Sequence, residues 1–384
     1  MADTSFLDWP FLEPKHTILH AALEAWASDN LQDIDHDNTD QTCQALVAAL
    51  GAAGFLKHTG VNATFPQIDV RSLCLIRETL ARHDGLADFV FAMQGLGTMA
   101  ISLFGSDTQK ADWLPKVQSG AALSAFALSE PQSGSDVANL QLSAQRNGNG
   151  YVLNGEKTWI SNGGIADVYT VFARTGEAPG GKGISAFIVP ADTCGLQIAE
   201  RLETISPHPL ARLVFTDLHL RADAMIGAPG AGFKVAMATL DTMRTTVGAA
   251  ALGFARRAFD ESLNRVKNRE LFGAPLSELQ MVQGHLADMA LDIDASALLI
   301  YRAAWAKDAG ASRITKEAAM AKLYATDQAQ LVIDKAVQIH GGDGVRKGHI
   351  IERLYREIRA LRIYEGASDV QKIIIARNAL QSGA

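Results

Sequence analysis

The feature that most constrains this chain is that its periodicity changes character twice. From about Ser124 to Leu220 short β-type runs alternate with turn dipeptides, while on both sides apolar residues recur at helix spacing. Asn147-Gly148, Asn149-Gly150 and Asn154-Gly155 are hairpin signals. Val168, Thr170, Val171 and Phe172, then Ile184 to Val189, then Leu213 to Phe215, read as strands, with a glycine-rich loop over Gly176 to Gly183. Upstream, Leu19, Ala22, Leu23 and Trp26 keep helix spacing, as do Leu46, Leu50 and Phe55, and Gly51, Gly54 and Gly60 break the runs. Leu86 to Phe104 is a further apolar helical stretch. Downstream, Phe233 to Val266, Glu278 to Lys307, Thr315 to Ile339 and Ile350 to Arg359 predict alanine- and leucine-rich helices, most of them long enough for a four-helix bundle. The expected fold is a multidomain α+β chain. Residues 1–122 form an N-terminal helical domain, 123–228 a β-barrel-like domain and 229–384 a C-terminal helical bundle.

A chain of 384 residues with 48% apolar and 20% charged residues can bury a sizeable core, which excludes a disordered protein. The net charge of −7 comes with no basic block, so nucleic acid is not an expected partner. Cys43, Cys74 and Cys194 are few, scattered and without CxxC spacing, which fits reduced thiols in a cytoplasmic protein. No basic-then-apolar leader opens the chain, and no apolar stretch reads as long enough to span a bilayer.

Four segments carry candidate chemistry. Phe126-Ala127-Leu128-Ser129-Glu130-Pro131-Gln132-Ser133-Gly134-Ser135-Asp136 gathers hydroxyls and backbone N–H groups round one turn, either an anion-holding nest or an ordinary capped turn. Lys157-Thr158-Trp159-Ile160-Ser161-Asn162-Gly163-Gly164 sets a tryptophan beside a hydroxyl and two glycines, which could wall a planar ring or simply precede a turn. Gln338-Ile339-His340-Gly341-Gly342-Asp343-Gly344 ends a predicted helix. Its glycines either cap that helix or let a phosphate approach. Tyr364-Glu365-Gly366-Ala367-Ser368-Asp369 offers a glutamate that either caps a helix or serves as a general base.

Other motifs fail on spacing. Gly227, Gly230 and Gly232 miss G-x-G-x-x-G, and Gly180-Gly181-Lys182-Gly183 lacks the Lys-Ser/Thr pair of a P-loop. Asp33, Asp35 and Asp37 imitate a calcium loop, but Asn38 and Gln44 stand where Gly and Glu belong. Gly134-Ser135-Asp136 is not a nucleophile elbow, and His340 has no second ligand at metal spacing, so no metal is expected.

Together and in this order, the four segments resemble the acyl-CoA dehydrogenase family. Phe104-Gly105-Ser106, Leu114-Pro115, Gly230-Ala231-Gly232-Phe233, Arg269 with Phe272-Gly273, Gln280 and Arg353-Leu354-Tyr355-Arg356 add to the likeness, which runs from about Leu86 to the end. The resemblance implies FAD held between a β-domain and a helical bundle, and an acyl-CoA substrate. Phe126, Leu128, Ser129, Gly134, Ser135, Trp159, Ile160 and Ser161 match cofactor-binding positions, as do Ala367 and Asp369. Arg269, Phe272, Gln280, Gln338, Gly341 and Gly342 match positions reaching the FAD of a neighbouring subunit, so a homo-oligomer, dimer or tetramer, is implied. Ser135, Arg244, Tyr364 and Gly366 match substrate-side positions; the alternative for Arg244, less favoured, is a solvated helix face.

The implied reaction is α,β-dehydrogenation, with Glu365 removing the α-proton and the β-hydride passing to flavin N5. A free glutamate, with a pKa of about 4.3, is a poor base for so weak an acid, so burial must raise it. Some relatives carry the base one residue before the arginine here numbered 244; Met243 stands there and cannot act as one. Ala367 replaces a usual threonine, at an expected cost of roughly 0.5–1.5 kcal/mol in cofactor binding. Asp369, Glu357 and Ser206-Pro207-His208-Pro209-Leu210 also depart from the usual pattern. Two electron acceptors are therefore open: an electron-transfer flavoprotein, or O₂ in an acyl-CoA oxidase or a flavin oxygenase of secondary metabolism. The acyl group is not legible, since pocket depth depends on several helices, including the region of Gln94 and Leu96.

Overall fold

A computed structural model describes residues 3–381. Five helices come first: α1 (Pro14–Asn30), α2 (Thr39–Ala52), α3 (Val70–His83), α4 (Gly85–Phe104) and α5 (Asp107–Gln118). Strands follow: β1 (Ser124–Ala127), β2 (Ser143–Asn147), β3 (Gly150–Ser161), β4 (Val168–Arg174), β5 (Ile184–Pro190), β6 (Leu196–Arg201), β7 (Leu210–Arg221) and β8 (Met225–Ile226). The rest is helical, with α6 (Gly232–Asn268), α7 (Gln280–Asp308), α8 (Thr315–His340), α9 (Ile350–Leu361) and α10 (Ser368–Gln381). A small ribbon, β9 (Glu270–Leu271) and β10 (Ala274–Pro275), lies between α6 and α7. The expected helical–β–helical order holds. Helices α3, α5 and α10 are not among the expected ones; in α10, Ile373, Ile374 and Ile375 are consecutive β-branched residues, a strand-like run.

Backbone contacts divide the chain into two compact units that interleave in sequence. One comprises the chain up to Asp33, Val70–Asp88 and the residues from Asp241 onward; the other comprises Ile34–Asp69 and Phe89–Leu240.

In the second unit the strands run in the order β6-β7-β3-β2-β4-β5-β8, with β1 parallel to β4. Leu153, Tyr169, Val171, Phe187, Leu213 and Phe215 meet in its core, each at most 2% exposed. The Asn147–Gly150 hairpin forms as its sequence predicts, with Gly148 at φ 55° in the two-residue turn. Asn154-Gly155 does not turn the chain. It stays within β3 opposite a β-bulge in β7, where the Asn154 amide exchanges hydrogen bonds with the left-handed Asp217 (φ 45°) and Gly155 sits at φ 138°. A side chain on Gly155 would strike the Leu142 Cα at 2.9 Å, so the dipeptide answers a packing demand that turn statistics do not register.

Gln94, on α4, is fully buried. Its amide donates to the carbonyls of Val117 and Ala122 and accepts from Ser124 N, which ties the start of β1 to the helix. That amide is spent on the frame of the fold. Helix Gly85–Phe104 is, against expectation, long and apolar enough to cross a membrane, but 89% of its apolar window is buried within the protein. Apolar length alone cannot separate a core helix from a membrane span.

In the first unit α8 packs against α7, α9 and α10. Helix α6 meets α3 at Gly253, where an added Cβ would lie 2.2 Å from the Glu78 carbonyl oxygen. Gly253→Ala gains helix propensity of up to about 1 kcal/mol. The clash with backbone outweighs it, since overpacking costs about 1–3 kcal/mol, and a lower denaturation midpoint in urea is the expected readout.

Candidate active site

The β-unit holds its candidate residues on β1, the turn after it and the bulged end of β3. Lys157 reaches back from β3, fully buried, and donates to the Leu128 carbonyl at 3.0 Å and to Glu130 Oε1 at 2.8 Å. Glu130 also accepts from the backbone N–H groups of Gln141 and Leu142. Burial, only partly opposed by Glu130, brings the Lys157 ammonium down to about 8. The Ser129 carbonyl accepts from Thr158 N at 2.9 Å. The carbonyls of Leu128 and Ser129 are thereby both engaged from β3, and the Phe126–Ser135 segment is held against the sheet. Leu128 is buried, Phe126 and Ser129 are half-buried, and Gly134 and Ser135 are exposed.

Between Lys157 and Ile160 the pairing with β7 slips by one residue, and Trp159 falls in that bulge at φ 58°. A left-handed tryptophan is strained, and this one is 60% exposed. Strain and exposure of an aromatic ring together are what a ring-stacking platform would require. Ile160 differs from its neighbours: its side chain lies in the sheet core, 1% exposed, so only its backbone is placed to meet a ligand. Ser161 is half-buried.

In the helical unit, Glu365 lies in the turn between α9 and α10 at φ 52°, followed by Gly366 at φ 96°. Three elements hold that turn. Arg244 of α6, 6% exposed, donates through Nε to the Glu365 carbonyl at 3.2 Å and through Nη1 to Asp241, so it is no solvated helix face. From α8 the Lys322 Nζ donates to the Gly366 carbonyl at 2.9 Å, and from α10 Gln371 Nε2 donates to the same oxygen at 2.8 Å. Asp327 of α8 accepts from Arg362 and from Ser368, the two ends of the turn. The Glu365 Oε2 is enclosed and has no hydrogen-bond partner among the described residues. Burial raises this carboxyl above its ordinary range, and Asp88 adds to the shift, while Arg77, Lys322 and Arg244 oppose it. Arg77 is itself held by Asp88 through two contacts of 2.8 Å.

Tyr364 is exposed, Gly366 and Ala367 half-buried, and Asp369 exposed in the first turn of α10. Phe272 and Gly273 form the tip of the β9–β10 ribbon with φ 56° and 81°, and Phe272 is 90% exposed. A hairpin tip of this kind favours Asn or Gly, so an exposed left-handed phenylalanine is a strained choice there. Arg269, Gln280, Gln338, Gly341 and Gly342 are also exposed. Gly341 caps α8 at φ 59°, whereas Gly342 and Gly134 are required neither by a positive φ nor by a neighbouring atom. Such positions leave the backbone open to close approach. No group of His, Cys, Asp and Glu able to hold a metal occurs among the described residues.

The Lys322 and Lys157 anchors were missed in the sequence. The signal for Lys322 was a lone lysine among Ala318, Ala319, Ala321 and Ala325, all of which are buried.

Residues 13–121, 125–218 and 230–380 match, in turn, the N-terminal, middle and C-terminal domains of acyl-CoA dehydrogenase. This chain belongs to the acyl-CoA dehydrogenase family. A probable acyl-CoA dehydrogenase fadE25 of Mycobacterium leprae is 36% identical over 96% of both chains. Butyryl-CoA dehydrogenase from Megasphaera elsdenii superposes with a TM-score of 0.89 at 32% identity, covering 96% of this chain and 99% of that one. Glutaryl-CoA dehydrogenase of Mycobacterium smegmatis, solved with FADH₂, superposes at 0.88 with 27% identity, covering 98% and 96%. As a member of the acyl-CoA dehydrogenase family the protein is an FAD-dependent oxidoreductase. Its own residues fit that cofactor: an exposed, strained Trp159, the anchored Leu128–Ser129 peptide, and glycines whose Cβ positions are open.

Proposed function

We propose that the protein α,β-dehydrogenates an acyl-CoA thioester, with Glu365 as the base that removes the α-proton. The observation that carries this reading is the unpartnered, enclosed Glu365 Oε2 in a left-handed turn held from three helices. A carboxylate with no internal hydrogen bond keeps its lone pairs for a proton brought by substrate, and its burial-raised pKa makes it a stronger base once ionised. Phe126, Leu128, Ser129, Ser135, Trp159 and Ser161 would hold the flavin end of the cofactor. Arg269, Phe272, Gln280, Gln338, Gly341 and Gly342 would meet the FAD of a second copy in a homo-oligomer, which suits their exposure. Bound FAD supplies the hydride acceptor. Fixed backbone donors of the anchored Leu128–Ser129 segment would favour the charge that develops there. An electron-transfer flavoprotein would then reoxidise the enzyme.

Anaerobic mixing of the purified enzyme with short, long, branched and aromatic acyl-CoAs, followed by admission of air, tests this. Flavin bleaching by at least one thioester, persisting in air until an electron-transfer flavoprotein is added, is the expected result. Prompt air reoxidation would move the protein to the oxidase group. Phe272→Ala should leave helix content unchanged and weaken FAD retention about tenfold, the worth of roughly 1.4 kcal/mol of lost aromatic burial. Flavin-to-protein ratio after gel filtration measures it.

A further inference from the structure

We propose that Lys322 is a positioning residue for Glu365: it pins the turn through the Gly366 carbonyl and its positive charge keeps the neighbouring carboxylate ionised. This rests on the reading of Glu365 as the base. Lys322 is fully buried on α8 among alanines, and its Nζ lies 2.9 Å from the Gly366 carbonyl oxygen, next in the chain to Glu365. A buried ammonium is costly, and that cost needs a return, because a methionine would fill the same space without it. Gln371 already donates to the Gly366 oxygen, so a hydrogen bond alone does not require a charge at 322. The charge is needed where no hydrogen bond reaches, at the unpartnered Glu365 Oε2.

The groups facing the pair are few. Around Lys322 are Glu365 and Asp327, which favour its charge, and Arg244 and Arg362, which oppose it; burial, the largest influence, brings it to about 8. Around Glu365 are Arg77 of α3, Lys322 of α8, Arg244 of α6 and Asp88 of α4, and Tyr364 adjoins it in sequence. Arg77 and Arg244 are committed to Asp88 and Asp241, which leaves Lys322 as the cation near Glu365 whose other contact is a neutral carbonyl. Below about pH 8 its proton is in place and lowers the pH at which Glu365 ionises. Above that pH the charge is lost while an amine hydrogen bond to Gly366 can persist.

The test uses FAD-loaded wild type, Lys322→Met, Lys322→Arg and Glu365→Gln, with whichever of butyryl-, octanoyl- and glutaryl-CoA bleaches the wild type fastest. In Lys322→Met the acid limb of the bleaching rate against pH should move up by about one unit and the rate at pH 7 should fall about tenfold. Lys322→Arg should bring the limb back towards the wild-type position. A thermal double-mutant cycle between Lys322→Met and Glu365→Gln needs no substrate. Glutamine at 365 should raise the melting temperature more in the methionine background than in the wild type at pH 7, and the difference should vanish at pH 10. An unmoved acid limb with an additive cycle would overturn the assignment of Lys322, leaving the base itself intact. Undiminished bleaching in Glu365→Gln would instead remove the base, and with it the reading beneath this one.

Discussion

Glu365→Gln is expected to keep its FAD and its fold while losing about 10²- to 10⁴-fold in the rate of substrate bleaching, the usual worth of a general base. Glutamine preserves the shape of the turn, and the bonds of Arg244, Lys322 and Gln371 go to backbone carbonyls that the substitution leaves in place. Stability should move the other way. Burial raises the folded pKa of Glu365 above its unfolded value, so the fold favours the protonated form. The stability tied to that proton is complete below the unfolded pKa of about 4.3 and is lost as pH rises through the higher folded pKa. At pH 7 the wild type therefore carries a buried charge that glutamine does not, and the variant should melt at an equal or higher temperature. Activity has the opposite sign, because only the ionised form takes a proton, so the wild-type rate should rise through a pKa above the ordinary glutamate value. Wild-type turnover in the variant would contradict the first expectation, and a melting temperature well below wild type the second.

Lys157→Met should destabilise the fold more than Gly253→Ala, Phe272→Ala or any change at Glu365 or Lys322. It leaves the Glu130 carboxylate inside the β-unit with its cation gone, while Gln141 N and Leu142 N still point at it. Breaking one side of a buried pair costs about 3–5 kcal/mol. For a chain of this size that lowers the melting temperature by about 4–6 °C. The Leu128 carbonyl loses its donor in the same step, so FAD should dissociate more readily than the loss of stability alone implies. Adding Glu130→Gln should recover part of the loss, since the amide oxygen can still accept from the backbone and no lone charge remains. Equal damage in the single and double variants would show that the pair is not the cause.

The sequence by itself determined the order of helical, β and helical regions and supplied the segments from which the candidate site is drawn. Helix spacing marks α1, α2, α4 and α6 to α9 because apolar residues recur along them at helix period, and the Asn147–Gly150 turn is legible because its glycine supplies the positive φ. The four segments identified Glu365, Trp159 and the Phe126–Ser135 turn because glycines and hydroxyls cluster there for reasons local to the chain. The tertiary structure decided what those residues are worth. Nothing near Lys157 in sequence names Glu130 as its partner, and nothing near Glu365 names Lys322 or Arg244, which lie on helices distant in the chain. Asn154-Gly155 reads as a turn but continues β3 opposite a bulge in β7, and its glycine is there because the Leu142 backbone leaves no room for a side chain. Periodicity and turn chemistry are local properties. Desolvation and the pairing of buried charges depend on which distant segments come within a few ångströms of each other, and the folded chain alone sets that.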